Sequence, residues 1–234
     1  MIVDIDIGNT RIKWSLSNGG VAIEGGALLH QDLDKLSLCS PPERVRIASV
    51  NGEIAARVDG YCRDNWGISA EYAKVVDGVA GVSCGYLESA KLGIDRWLCI
   101  VAARQLCEGS FLVVSAGTAL TLDIVGADNR HQGGLIVPGV SAMRRALWDN
   151  TWGVKVDSAP SPKPELGNQT STAVVNGALL AAVGVIEAVI RRWSPQNLYL
   201  TGGDGALIKQ SLDCPVGVTL LPDLVLQGLS VALP

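Results

Sequence analysis

Residues 2–16, IVDIDIGNTRIKWSL, decide how the fold of this chain is interpreted. Apolar and polar residues alternate as far as Ile7, with the period expected of a β-strand. A Gly-Asn pair at 8–9 supplies turn chemistry, and the alternation resumes beyond it. The stretch therefore predicts a β-hairpin with Asp6 just before its turn and Lys13 just after it.

The pattern of this hairpin occurs a second time, about half the chain further on. Residues 111–125, FLVVSAGTALTLDIV, again read as a strand, a small-residue turn and a return strand, and residues 115–119 align with residues 6–10. A solvated edge hairpin would explain one such stretch but not the pair. The repeat predicts an α/β chain of two similar lobes that face each other, which we divide as 1–108 and 109–234.

Both predicted turns have the chemistry of a phosphate site. Backbone N–H groups of a glycine turn, together with Thr or Asn side chains, form a cradle for phosphate oxygens. An acid beside such a turn, as Asp6 is, can hold a divalent ion that bridges those oxygens. The sequence thus predicts a nucleotide cleft between the lobes, with phosphate-binding residues Gly8, Asn9, Thr10, Gly117 and Thr118.

Composition excludes some classes of partner. The chain has 234 residues, of which 48% are hydrophobic, and a net charge of −4, so it can bury a core but offers no diffuse basic field for nucleic acid. Its six cysteines form no CxxC or Cys/His cluster, and no secretory leader precedes the first strand. We expect reduced thiols and a cytoplasmic location.

Two segments predict helices. Apolar residues recur at helical spacing from Ile94, which puts Asp95 and Arg96 in a first turn and makes Gly109 a plausible stop. Residues 173–190, AVVNGALLAAVGVIEAVI, have about the length of a bilayer span. Because this segment contains an Asn and a Glu and stands alone in the sequence, a buried helix is favoured over a membrane span.

Two shorter segments in the second half of the sequence are interpreted as loops or connections. Residues 198–200 read as a strand that enters the loop 201–205 before a helix, and the proline-rich segment 159–164 reads as an ordered connection or a lid.

Taken in order, these stretches resemble the type III pantothenate kinases. This family is related to the Bvg accessory factor and belongs with the actin-like, hexokinase-like and Hsp70-like ATPases. The resemblance rests on DIGNTRIKW, YLESAKLGIDRW, AGTALTLD and GGLIVPG, and then on TSTAVVNG, LYLTGGD and PDLVLQGL, so it spans nearly the whole chain.

The resemblance implies a fold, an activity and partners. The fold would consist of two actin-like, ribonuclease H-like lobes with mixed sheets, hairpin phosphate loops and flanking helices. The activity would be the ATP-dependent phosphorylation of pantothenate to 4′-phosphopantothenate, the first step of coenzyme A biosynthesis. The family also implies Mg²⁺ with ATP, a monovalent cation (K⁺ or NH₄⁺) and a homodimer.

The same resemblance assigns roles to residues. Asp95 would be the general base, Asp6 would hold Mg²⁺, and Asp123 would hold the monovalent cation. ATP and its phosphates would be bound by Asp6, Gly8, Asn9, Thr10, Lys13, Gly117 and Thr118. Pantothenate would be bound by Tyr86, Gly93, Ile94, Asp95, Arg96 and Thr170, with Thr172 as an alternative to Thr170.

One departure from the family pattern leaves other functions open. Ser115 stands where the family usually has Asp before the second glycine turn, and a hydroxyl cannot match the charge of a carboxylate. One alternative is a catalytically weak accessory or regulatory protein of the same fold. Another is a kinase for a different small hydroxy acid, because fold does not fix substrate.

Overall fold

The structure is a computed structural model that describes residues 1–150 and 161–234. The chain divides into two compact units, one made of Met1–Leu106 with Asp223–Pro234 and the other of Cys107–Pro222. Each unit contains a five-stranded mixed sheet flanked by helices. The α/β class with a duplicated sheet is confirmed.

The regular elements of the described residues are numbered in chain order. The strands are β1 (Ile2–Ile7), β2 (Arg11–Asn18), β3 (Val21–Leu29), β4 (Arg44–Ser49), β5 (Glu71–Tyr72), β6 (Phe111–Ala116), β7 (Ala119–Val125), β8 (His131–Pro138), β9 (Asn197–Thr201) and β10 (Gly217–Leu220). The α-helices are α1 (Gly52–Trp66), α2 (Ile94–Arg104), α3 (Val140–Asn150), α4 (Thr170–Trp193), α5 (Gly205–Ser211) and α6 (Leu224–Ala232).

The two sheets have the same topology. Their strand orders are β3-β2-β1-β4-β5 and β10-β9-β6-β7-β8, which are the same order read from opposite edges. In each sheet a three-strand antiparallel meander is followed by two strands that run parallel to its first strand. The parallel strands are reached through helices, as parallel pairing requires. Both predicted hairpins, β1-β2 and β6-β7, are therefore present.

The side chains of β1 alternate between the face of the sheet that forms the core and the opposite face. Val3, Ile5 and Ile7 are fully buried in the core of the first unit. Asp4 lies on the other face and is also buried, because Arg46 on the neighbouring β4 donates two hydrogen bonds to its carboxylate at 2.6 and 2.8 Å. Burial of a carboxylate is tolerated when it is paired in this way.

The C-terminal helix belongs to the first unit, whereas the predicted division places it in the second. The break between the units falls at Leu106/Cys107, two residues before the predicted one, but residues 223–234 belong to the first unit and not to the second. The reason is packing: a Cβ on Gly228 of α6 would lie 2.2 Å from the backbone oxygen of Leu98 in α2, so only glycine allows this approach. Arg46 also donates a hydrogen bond to the Leu233 carbonyl at 2.7 Å.

The two predicted helices are present. Helix α2 begins at Ile94 as expected but ends at Arg104, before Gly109. Helix α4 meets the length and hydropathy criteria for a membrane span, yet half of its most apolar stretch is buried within the protein. Its buried residues pack against the β6, β7 and β9 strands in the core of the second unit. Residues 159 and 160 of the proline-rich segment lie outside the described residues.

Candidate active site

The first phosphate loop, residues 8–10, joins β1 to β2 and is closed by the backbone. The N–H of Gly8 donates to the Arg11 carbonyl at 3.1 Å, while Asn9 and Thr10 are exposed in the turn. The antiparallel register places Asp6 opposite Lys13, so an acid and a base flank the loop. Beside Lys13 lies a cavity of about 430 Å³ that Asp223 also lines.

A side chain from outside the hairpin contacts this loop. His30, which follows β3 directly, has its Nε2 3.0 Å from the carbonyl oxygen of Gly8. The sequence pattern did not single out His30, because a lone histidine beyond a strand carries no recognisable motif. Only the pairing of β3 with β2 brings it to the loop.

The start of α2 holds the predicted base. Asp95 lies in the first turn, where the helix dipole favours a negative charge, and Gly93 precedes the helix as its N-cap. A Cβ on Gly93 would lie 2.6 Å from Oδ1 of Asp95. The absence of a side chain at Gly93 therefore leaves the space that the Asp95 carboxylate occupies.

Asp6 and Asp95 interact electrostatically although they are far apart in sequence. The pKa of Asp6 is raised to about 7, mainly by burial and also by the negative charge of Asp95, while the positive charge of Lys13 opposes both effects. Two carboxylates that repel each other beside a phosphate loop form a place where a cation is favoured. Shifted acids of this kind are common at functional sites.

Arg96 and Tyr86 form a pair next to Asp95. Nη1 of Arg96 donates to the Tyr86 hydroxyl at 2.8 Å, and the guanidinium lies 5.5 Å from the centre of the Tyr86 ring. Arg96 is buried in spite of its charge. The structure thus brings together five of the six predicted pantothenate-binding residues around the start of α2, namely Tyr86, Gly93, Ile94, Asp95 and Arg96.

The second phosphate loop, Gly117-Thr118, is held between two other backbone segments. The Thr118 carbonyl accepts from the N–H of Gly139, and a Cβ on Gly139 would lie 2.0 Å from the Gly117 oxygen. On the other side the Ala116 carbonyl accepts from the N–H of Asp204 at 3.0 Å. The sequence motifs GGLIVPG and TGGD contain the residues that make these contacts, but local sequence does not indicate that they support the loop.

Asp123 lies in an environment that the sequence did not reveal. It is 1% exposed, and its Oδ1 is 2.9 Å from Nε2 of His131, which is fully buried on the neighbouring β8. An ion held by Asp123 would have to share the carboxylate with this histidine. The geometry thus fits a buried acid-histidine pair better than an open cation site.

Thr170 is the first residue of α4 and is exposed. The hydroxyl of Thr172 donates to the backbone carbonyl of Gln169 and accepts from its N–H, so Thr172 serves the helix start. This contact favours Thr170 over Thr172 as the residue that meets a ligand. Nearby, the side chain of Asn176 bonds to the backbone of Lys163 and Glu165 and anchors the segment before the helix.

Sequence comparisons with known proteins agree with the phosphate loops and side chains described above. A sequence model of the family described as type III pantothenate kinase matches residues 2–192. The chain belongs to the type III pantothenate kinase family. A type III pantothenate kinase of Pseudomonas aeruginosa (strain LESB58) is 34% identical over 255 residues, covering 100% of this chain and 99% of that protein. One from Azoarcus sp. (strain BH72) is 36% identical over 242 residues, covering 99% and 90%.

Two solved structures of low sequence identity have a similar fold. A protein of Campylobacter jejuni described as a Baf family transcriptional activator has a TM-score of 0.64 at 20% identity, covering 97% of this chain and 95% of that one. A protein of Sinorhizobium meliloti described as a 2-dehydro-3-deoxygalactonokinase has a TM-score of 0.60 at 16% identity, covering 99% and 95%. At these identities the likenesses concern the fold, and they agree with the predicted α/β architecture of two mixed sheets flanked by helices.

Proposed function

We propose that this chain transfers the γ-phosphoryl group of ATP to the primary hydroxyl of pantothenate, giving 4′-phosphopantothenate and ADP. The observation that carries the proposal is the site at the start of α2, where Asp95 precedes the Arg96 that pairs with Tyr86 and interacts electrostatically with Asp6. Membership of the type III pantothenate kinase family supports the choice of substrate. Phosphoryl transfer is served mainly by positioning and charge, which suits a site of glycine loops and acids.

Asp95 acts in this proposal as the general base. It accepts the proton of the pantothenate hydroxyl while the hydroxyl oxygen bonds to the γ-phosphorus and the bond to the ADP oxygen breaks. Arg96 binds the pantothenate carboxylate through its fork of donors, with Tyr86, Gly93 and Ile94 as further ligands of the same substrate. The family resemblance assigns a pantothenate-binding role to Thr170 as well. The first glycine loop and Lys13 bind ATP phosphates, and the family resemblance assigns a phosphate-binding role to Gly117 and Thr118 as well.

Mg²⁺ fits the acids of the first unit. No cluster of three or more metal-binding side chains occurs in residues 1–150 and 161–234. Mg²⁺ commonly uses only one or two carboxylates together with phosphate oxygens and waters, and Asp6 is a carboxyl group beside the negative charge of Asp95, which a cation would offset. We propose that Asp6 holds the ion, which would neutralise phosphate charge when ATP is bound.

For Asp123 we propose a structural role as the partner of His131. The alternative is the predicted binding of K⁺ or NH₄⁺, and a salt series decides between the two. Equal rates in K⁺, NH₄⁺ and Na⁺ would remove the cation from Asp123, whereas a preference for K⁺ or NH₄⁺ that is lost in Asp123→Asn would restore it. A homodimer and a cytoplasmic location are further expectations from the family resemblance.

The test of the function is an ADP-release assay with ATP, Mg²⁺ and K⁺, with and without pantothenate. We expect pantothenate-dependent release, and a fall in kcat of about 10²–10⁴-fold in Asp95→Asn, because a positioned base contributes roughly that factor. Arg96→Ala is the control, and it should act mainly on the KM for pantothenate. No pantothenate-dependent release by the wild type would favour an accessory protein, and near-normal turnover by Asp95→Asn would remove the base assignment.

A further inference from the structure

The chemistry of the two groups fixes which one is the donor in the hydrogen bond between His30 and the first phosphate loop. A carbonyl oxygen only accepts hydrogen bonds, so the 3.0 Å contact to Gly8 requires that Nε2 of His30 carries the proton. We propose that His30 is a positioning residue that orients the first phosphate loop for nucleotide phosphates. The inference rests on the proposed function of this loop.

The fold fixes where His30 stands. In the ladder between β2 and β3, Leu29 lies opposite Arg11, the first residue after the loop. His30 is the next residue and therefore comes beside the turn, where its ring can reach back to Gly8. Its own backbone oxygen accepts a hydrogen bond of 3.4 Å from Arg57 on α1, so the residue is tied to the helix as well as to the strand.

Holding the Gly8 carbonyl also sets the direction of a donor. The Gly8 C=O and the Asn9 N–H belong to one planar peptide group, and none of the described peptide bonds is cis. In a trans peptide these two groups point in opposite directions. The bond from His30 therefore aims the Asn9 N–H away from the histidine and resists rotation of this peptide plane, which spares the ligand the cost of ordering the loop.

The experiment compares three variants of the full chain: His30→Ala, His30→Gln and Gln31→Ala. Binding of ADP with Mg²⁺ is measured by calorimetry, KM values for ATP and pantothenate by ADP release, and folding by the thermal midpoint. We expect His30→Ala to weaken ADP binding and raise the KM for ATP by roughly 3- to 10-fold, the worth of one lost hydrogen bond, with the KM for pantothenate unchanged.

The other two variants distinguish a loss of loop positioning from a general loss of stability in this part of the fold. Glutamine carries an amide donor the same number of bonds from Cβ as Nε2, so His30→Gln should recover most of the ADP affinity. Gln31 is exposed in the same turn, and Gln31→Ala should behave as the wild type. Unchanged ADP affinity in His30→Ala, an equal rise in both KM values, or failure of His30→Gln to recover would each overturn the proposal. A wild type without pantothenate-dependent activity would defeat the proposed function alone, because the ADP titration still reports on His30.

Discussion

At the scale of single residues, the site depends on carboxylates in unlike surroundings. Asp4 and Asp6 share one face of β1, but Asp4 is neutralised by Arg46 while Asp6 faces the charge of Asp95. In the first pair Arg46 compensates the buried charge of Asp4, whereas the second pair leaves a negative site beside the phosphate loop. Two neighbouring acids of the same strand thus serve different purposes because of what lies opposite them.

The raised pKa of Asp6 predicts a pH-dependent stability. In the folded chain Asp6 keeps its proton up to about pH 7, but in the unfolded chain an aspartate loses it near 3.8. Between these values the folded state binds more protons, so the free energy of unfolding should fall as the pH rises, by roughly 2–4 kcal/mol in all. Denaturant unfolding from pH 4 to 8 in EDTA should show this slope in the wild type and a shallower one in Asp6→Asn. Equal slopes would contradict the assignment.

Ser115 gives a prediction about nucleotide binding. It lies at the end of β6, one residue before the Ala116 carbonyl that supports the second loop. A carboxylate there would add a negative charge for metal-bound nucleotide, so Ser115→Asp should lower the KM for ATP and leave the KM for pantothenate in place. Steady-state kinetics with each substrate varied in turn measures both constants. If neither KM value changes, other groups of the site already compensate for the carboxylate that is missing at Ser115.

At the scale of elements, close backbone approaches hold the second phosphate loop. Gly202 has φ +90, and a Cβ there would lie 2.3 Å from the Ala116 oxygen, while Gly203 beside it has open space. A side chain at Gly202 would meet backbone that cannot move without shifting β6. The two adjacent glycines therefore form a matched pair for an experiment.

We expect Gly202→Ala to lower the free energy of unfolding by at least about 2 kcal/mol, from left-handed strain and steric overlap together. Gly203→Ala should change it by less than about 1 kcal/mol, since its Cβ meets nothing. Chemical denaturation monitored by tryptophan fluorescence gives both values. Similar losses in the two variants would show that the approach to Ala116 is not what requires glycine.

Sequence periodicity predicts the strands and helices better than it predicts the contacts that hold the functional loops and the buried acid in place. The hairpins, the helix that begins at Ile94 and the buried α4 follow from local pattern, and so does the clustering of Asp95 with Arg96. His30, Gly139 and the His131 partner of Asp123 reach the loops or the buried acid only through strand pairing. Such contacts depend on register between distant segments, which the local spacing of residues does not specify.

At the scale of the whole molecule, β4 links segments that are far apart in sequence. Arg46 pairs with Asp4 near one end of the chain and donates to the Leu233 carbonyl near the other. Arg44, two residues earlier on the same strand, pairs with Glu71 at a more exposed position. The buried arginine and the exposed one offer a direct comparison.

Arg46→Met should destabilise the protein by about 3–5 kcal/mol, because it leaves the Asp4 carboxylate buried without its partner. Arg44→Met should cost less than about 1 kcal/mol, as exposed ion pairs usually do. Urea unfolding of both variants at neutral pH is the measurement, and adding Asp4→Leu to Arg46→Met should recover part of the loss. A small effect of Arg46→Met would mean that water or another cation takes its place.

The position of α6 has a consequence for how the protein is made. Residues 107–222 form the second unit without interruption, whereas the first unit needs residues 223–234 for its α6. A ribosome delivers the chain from its N-terminal end, so the second unit can fold as soon as it has emerged. The first unit, although synthesised earlier, must wait for its last helix. The first unit therefore acquires its full set of contacts only when the whole chain has left the ribosome.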